Sequence, residues 1–303
     1  MHLLSPLITV NVRPRNASTS APNQSSNFKS NIGDIIGFTA NYRFISAGFA
    51  VLLKSGLHSP SGYAISQYRT ATIRYASNAY MLQYKYLRSG GFTDINHASA
   101  KERFTQRPDI INKEFQFEGL YNFDWKKYSY IAPFSFSHRQ AKSHAGLLLK
   151  AGVYYTELRG DSALINPEQE KYYQNFGDIH AVRTFSVKIA PGAGATFVLK
   201  NLYLSFAAFP SYDLYFYKFI DAKDKKVGAA SPFVFTIDFK ANVGYQSKRF
   251  YSGIKYEIER RDAFLHVLKS HIMYSYVGLE FGYRFRTPRL VKKIYKQTMP
   301  PGM

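Results

Sequence analysis

The sequence predicts an all-β protein, a closed antiparallel transmembrane β-barrel of about 12 strands with 14 as the alternative. Three observations predict it. Apolar residues recur with a period of two from Gly33 onward, the extended runs reach about 10 to 14 residues, and their apolar faces are crowded with Phe and Tyr. Phe and Tyr each occur 25 times in 303 residues, yet mean hydropathy is only -0.27. The apolar residues must therefore be patterned.

Taken along the chain, residues 1–31 form a polar segment, rich in Asn and Ser over 15–31, that reads as a loop or as an extra strand around Ile8 to Val12. The barrel is expected over 32–286, and a basic tail over 287–303. Strands are expected near 33–44, 45–55, 68–77, 79–89, 112–124, 127–139, 146–158, 184–199, 201–217, 231–246, 249–260 and 270–286. Tight hairpins are expected near Phe44-Ile45, Ser77-Asn78, Asp124-Trp125-Lys126, Lys200-Asn201 and Ser247-Lys248. A short turn of helix is expected over 167–173. If every tight turn faces one side, the strand directions disagree across the chain, which points to a further strand between Arg159 and Thr184.

The faces of the best runs are distinct. Met273, Val277, Leu279, Phe281, Tyr283 and Phe285 share one side, while Gly278, Glu280, Gly282 and Arg284 share the other. Phe235, Ile237, Phe239, Val243 and Tyr245 oppose Asp238, Lys240 and Asn242, and Phe115, Phe117 and Tyr121 oppose Glu114, Gln116, Glu118 and Asn122. A soluble sandwich also alternates, but its strands are shorter and its core prefers aliphatic residues. A Lys or Arg at the lipid-facing midplane costs about 2–4 kcal/mol, so the apolar faces are expected to point outward. Trp125, Tyr128 and Tyr130 are expected in an interfacial aromatic girdle.

Net charge is +20, from 40 Lys+Arg against 20 Asp+Glu, but the bases are scattered and no nucleic-acid groove is expected. There is no Cys, hence neither a disulfide framework nor a thiolate metal site. No run of 18 apolar residues reads as a transmembrane helix. Met1-His2-Leu3-Leu4-Ser5-Pro6 lacks the charged start and apolar core of a signal peptide. An export signal is therefore expected outside this chain.

The run Phe134 to Ile165 contains Gln140, Lys142, Ser143, Gly146, Tyr154, Tyr155, Asp161 and Ser162. In this it resembles the uncharacterised domain-of-unknown-function family 4421 of Bacteroidota envelope proteins. Asn31-Ile32-Gly33, Tyr121-Asn122-Phe123, Lys127-Tyr128-Ser129-Tyr130, Gly192 to Val198 and Gly282-Tyr283-Arg284-Phe285 extend the similarity. His144 departs from the small residue usual after the loop serine. The resemblance implies an outer-membrane β-barrel with no assigned activity.

Candidate functional residues follow from the polar faces. Glu114, Glu118, Asp124, Asp238, Lys240, Lys255, Glu257, Glu280 and Arg284 are expected to face the lumen, either lining a narrow passage or cross-linking the interior as ion pairs. The small lumen of about twelve strands favours the second. Arg139, Gln140, Lys142 and Ser143 form a basic loop suited to anionic lipopolysaccharide or an envelope protein partner. His138, Ser143 and His144 offer a nucleophile and a base, but no nucleophile elbow accompanies them, and a solvated loop is the better expectation. Neither a metal nor a cofactor is expected: His58, His97, His180, His266 and His271 lie in separate segments, and Gly192-Ala193-Gly194 lies in a strand rather than before a helix. The chain is accordingly expected to be a non-enzymatic structural or interaction subunit, with a small pore for anionic solutes and a rim hydrolase as rivals.

Overall fold

An extended segment leaves its N–H and C=O groups to be satisfied by neighbouring strands, and in lipid only a closed sheet satisfies them all. The computed structural model describes residues 2–14, 25–30, 32–33, 35–53, 63–96, 104–135, 139–173, 177–221, 226–264 and 268–285. Thirteen strands form one antiparallel sheet. They are β1 (His2–Pro14), β2 (Ser26–Ser30), β3 (Ile35–Tyr42), β4 (Ile45–Leu52), β5 (Gln67–Ala76), β6 (Tyr80–Asp94), β7 (Thr105–Asn122), β8 (His144–Arg159), β9 (Ile179–Leu199), β10 (Leu202–Asp221), β11 (Lys226–Gln246), β12 (Phe250–Phe264) and β13 (Leu268–Tyr283).

The sheet closes because β13 pairs with β1 from His2↔Glu280 to Pro14↔Leu268. Between β1 and β6 there are two routes. β2 bridges them at one level, with Val12↔Ser26 and Phe28↔Asp94, completing a ten-stranded circuit. β3, β4 and β5 bridge the same neighbours lower down, from Leu4↔Ile35 to Gln67↔Gly90, so the wall there is twelve strands around. Gly91 marks the fork: its φ is 72°, and a Cβ would collide with the Ile65 carbonyl, so only glycine fits. The β6–β7 register slips at the same point, between Gly90 and Phe92.

Tight turns gather at one end, between the pairs Tyr42↔Ile45, Ala76↔Met81, Leu199↔Leu202 and Gln246↔Tyr251. Arg43 and Lys200 take left-handed φ values of 49° and 57° in two of them, as two-residue hairpins demand. The start of β1 and the end of β13 lie at this end too. Aromatic pairs ring it, including Tyr75–Tyr80 at 5.9 Å, Tyr121–Phe123 at 5.0 Å and Tyr283–Phe285 at 4.9 Å.

Above that rim the faces divide as the alternation predicts. Phe115, Phe117 and Tyr121 are exposed while Glu114, Gln116, Glu118 and Asn122 are buried, and Val277, Leu279 and Phe281 are exposed while Glu280 is buried. Towards the far end the polarity inverts. Ile8, Val10, Val12, Phe28, Phe92, Ile110, Leu158, Tyr217 and Phe219 pack inside as one apolar core, while Lys113, Arg183 and Lys218 lie outside. The reason is length: β9 and β11 each have 21 residues, whereas a tilted strand crosses a bilayer in about 9–11. The surplus projects into water and is built like a soluble barrel.

Five expectations need correction. The predicted strand over 127–139 is instead part of the connection between β7 and β8, which turns inward and carries a short helix, α1 (Ile131–Ser135); the apolar lumen wall offers Tyr128 and Tyr130 better burial than lipid does. Asp124-Trp125-Lys126 is therefore not a hairpin, and Tyr128 and Tyr130 are buried rather than part of the girdle, where Trp125 alone of the three stays exposed. Among the described residues no strand forms between Arg159 and the early-starting β9; a 3-10 helix, Pro167–Tyr172, lies there where a turn of helix was expected. The extra strand expected around Ile8 to Val12 forms as part of β1, and the barrel boundary moves from residue 32 to the start of β1, because β1 and β2 are wall strands. The basic tail 287–303 lies outside the described residues.

Candidate functional site

Antiparallel pairing sets inward-facing residues of adjacent strands side by side, and a buried charge is tolerated only beside an opposite one. The middle of the lumen obeys this rule throughout. Lys150 on β8 donates to Asp238 on β11 at 2.6 Å and lies 3.9 Å from Glu118 on β7. Lys188 on β9, with no solvent exposure, lies 3.1 Å from Asp238 and 3.6 Å from Asp213. Lys240 pairs with Glu257 at 3.2 Å and Glu259 at 3.5 Å, and Lys255 with Glu257 at 2.7 Å and Glu280 at 3.9 Å. Arg261 joins Glu259 at 3.4 Å and Glu114 at 3.5 Å. Tyr154 links the two halves: its hydroxyl donates to Glu118 at 2.5 Å, and the Arg261 guanidinium lies 4.2 Å from its ring centroid.

Of the predicted lumen residues, the structure thus brings together Glu114, Glu118, Asp238, Lys240, Lys255, Glu257 and Glu280. Asp124 is exposed at the rim, where its carboxylate accepts from the Leu147 N–H at 2.8 Å, because β7 ends at Asn122 and the chain has already turned. Arg284 also sits at the rim, donating to the Ser247 carbonyl at 2.6 Å and lying over the Tyr251 ring. Sequence reasoning missed Lys85, Lys150, Lys188, Asp213, Glu259, Arg261 and Tyr154. The signal was available: Lys150 and Tyr154 share the parity of Leu148, and Glu259 and Arg261 continue that of Lys255 and Glu257.

The tight-turn end of the lumen is filled by the inward-turned connection. Tyr128, Tyr130, Ile131 and Phe134 pack on Met81, Leu120, Leu148, Ala190, Ala207 and Phe209 of the wall. The Asn242 amide donates to the Pro133 carbonyl at 2.6 Å. Gly146 and Gly194, partners across β8 and β9, make room for the Tyr128 ring. A Cβ on Gly146 would lie 2.7 Å from Tyr128 Cδ1, and one on Gly194 would overlap the Tyr128 hydroxyl. Burial raises the Tyr128 phenol above its usual pKa.

Gln140 is buried and stitches this plug together, accepting from the Ser129 N–H at 2.9 Å and donating to the Lys127 and Lys142 carbonyls at 2.9 Å. It is not free for a partner, which corrects the basic-loop expectation. Ser143 Oγ accepts from the Val198 N–H at 2.8 Å, extending the β8–β9 pairing. Arg139 donates to Asn201 at 3.0 Å, and Lys142 is exposed. His138 lies outside the described residues.

The other end of the lumen is closed over the apolar core. Leu164, Ile165 and Tyr173 join that core; the Tyr173 hydroxyl donates to the Val12 carbonyl at 3.1 Å, and Ser26 donates to Gln169 at 3.0 Å. Between plug and core a cavity of about 160 Å³ remains. It exists because β3–β5 widen the lower wall while the plug fills only the opposite side. Thr39, Ser46, Thr70, Thr72, Arg74 and Lys85 face Lys240, Lys255, Glu257, Glu259, Tyr276 and Glu280 across it. Among the described residues no three His, Asp or Glu side chains are grouped to hold a metal ion.

A closed antiparallel circuit with an apolar exterior and an ion-paired interior is the fold of an outer-membrane β-barrel. The chain belongs to the family described as domain of unknown function (DUF4421), whose model matches residues 1–285, in agreement with the resemblance drawn from its motifs. No curated protein matches the sequence. Among solved structures it is similar to the outer membrane protease OmpT from Escherichia coli, with 10% identity, 93% of this chain and 95% of that one covered, and a TM-score of 0.39. It is similar also to the translocator domain of autotransporter NalP from Neisseria meningitidis, at 14% identity, 93% and 88% coverage and a TM-score of 0.41. LpxR from Salmonella typhimurium is similar at 6% identity, 90% and 99% coverage and a TM-score of 0.34.

Proposed function

We propose that the chain is a non-conducting, non-enzymatic barrel of the outer membrane that serves as a structural or interaction subunit of the envelope. The observation that carries this reading is the filling of the lumen at three successive levels: the aromatic plug, the ion-pair network and the apolar core. A passage for solutes would have to break buried ion pairs at the middle level, which is strongly unfavourable. Short turns on one side support an orientation with that side in the periplasm. The basic residues Arg139 and Lys142 then face the periplasm, which suits a protein partner there better than lipopolysaccharide.

The cavity favours a second reading, a small pore for anionic solutes, because Arg74, Lys85, Lys240 and Lys255 outnumber Glu257, Glu259 and Glu280 along its wall. Recording from the full chain in planar bilayers separates the two. The sealed barrel gives no steady unit conductance at neutral pH; reproducible anion-selective steps would reject it in favour of the pore.

A further inference from the structure

The outward faces of β5 to β10 carry a continuous row set by register: Arg69↔Arg88↔Lys113↔Glu157↔Arg183↔Lys218. One acid serves this row. Glu157 holds Arg183 at 2.8 Å and lies 4.0 Å from Lys113, and Arg69 and Arg88 have no acidic partner among the described residues. Arg69, Arg88 and Lys113 are therefore direct neighbours of like charge, an arrangement that opposes strand pairing unless an anion sits among them.

What lies beneath identifies the anion. Two residues back along the strands, about 7 Å, the same register places Tyr86↔Phe115↔Tyr155 on the exterior. Their rings form a continuous surface, with centroids 4.9 Å and 6.2 Å apart. A free phosphate would use the cations and ignore the rings. A lipid uses both, with its headgroup on the bases and its acyl chains along the rings.

We infer that Arg69, Arg88 and Lys113 seat the net-anionic, phosphate-bearing headgroup of a membrane lipid, with the Tyr86–Phe115–Tyr155 surface under its acyl chains. This rests on the membrane-barrel reading, and it puts the lipid contact on the strands facing away from the tight turns rather than on the Arg139–Ser143 loop. Long basic side chains at the edge of an apolar band reach headgroup level by snorkelling, and each adds to the attraction of an anionic surface.

The test uses the full chain in detergent, with native mass spectrometry reading the binding of bisphosphorylated lipid A and, for contrast, of phosphatidylcholine. Insertion into vesicles is scored separately. Replacing all three bases, Arg69→Gln, Arg88→Gln and Lys113→Gln, should weaken lipid A at least about tenfold and leave phosphatidylcholine unchanged. Replacing Lys126 and Lys142 by Gln at the opposite rim should change neither. Equal lipid A binding by the triple variant, an equal loss at the opposite rim, or full displacement of lipid A by millimolar inorganic phosphate would each overturn the inference. Failure of the wild-type chain to insert into vesicles would instead overturn the membrane reading beneath it.

Discussion

Asp238→Ala should lower the unfolding free energy of the folded barrel by about 3–5 kcal/mol, because it leaves two buried ammonium groups without their principal counter-charge. Asp238 has no solvent exposure and serves Lys150 at 2.6 Å and Lys188 at 3.1 Å. Their remaining acids stand farther away, Glu118 at 3.9 Å and Asp213 at 3.6 Å. Lys188 cannot reach water in compensation, since it is fully buried. Urea titration in lipid vesicles measures the loss. Asp178→Ala is the control: that acid is exposed and pairs with His180 at 3.2 Å, an interaction worth about 0–1 kcal/mol. Equal small effects of the two would mean that the interior is hydrated and the network loose.

The second large effect concerns the plug. Gly194→Leu places a side chain where the Tyr128 hydroxyl now lies, and the facing Gly146 leaves the ring no retreat without widening the sheet. Overpacking of this kind costs about 1–3 kcal/mol when the neighbour yields, and the element free to yield is the inward-turned connection rather than the wall. Its expulsion would withdraw Tyr130 and Phe134 from Phe209 and remove the Pro133 hold on Asn242. The variant should then be cut by trypsin near Lys126, Lys127 or Arg139 under conditions that spare the wild type, and should show conductance bursts in planar bilayers. Unchanged protease resistance together with electrical silence would show that Tyr128 does not anchor the plug.

Much of this architecture was legible in the sequence because a strand writes its two faces into alternate residues. Glu114, Glu118, Asp238, Lys255, Glu257 and Glu280 were readable as inward-facing for that reason, and the ion pairs they form follow from the cost of burying charge. The plug was not legible. Tyr128 and Tyr130 alternate as a strand would, and they resemble a girdle in composition; only Pro133 speaks against a strand, and it does so weakly at a barrel edge. Asp124 was misplaced through the same error, since continuing the period past Asn122 carries it into the lumen. Nor was the inversion of polarity foreseen. Ile8, Val10 and Val12 are apolar in either environment, and the level at which outward changes from lipid to water depends on the three-dimensional length of the neighbouring strands. β2 escaped because five residues carry too little periodic signal amid an Asn- and Ser-rich stretch.

The odd-numbered residues of lower β7 face hydrocarbon while the even-numbered ones face a closed interior, an arrangement open to one direct measurement. The chain has no Cys, so single cysteines introduced from Lys113 to Tyr121 can each carry a nitroxide in the vesicle-inserted protein. Relaxation by lipid-soluble oxygen should peak at Phe115, Phe117 and Tyr121 and fall at Gln116 and Leu120, with Lys113 passing to a water-soluble relaxant. Oxygen maxima at Gln116 and Leu120, or no alternation along the strand, would contradict the account.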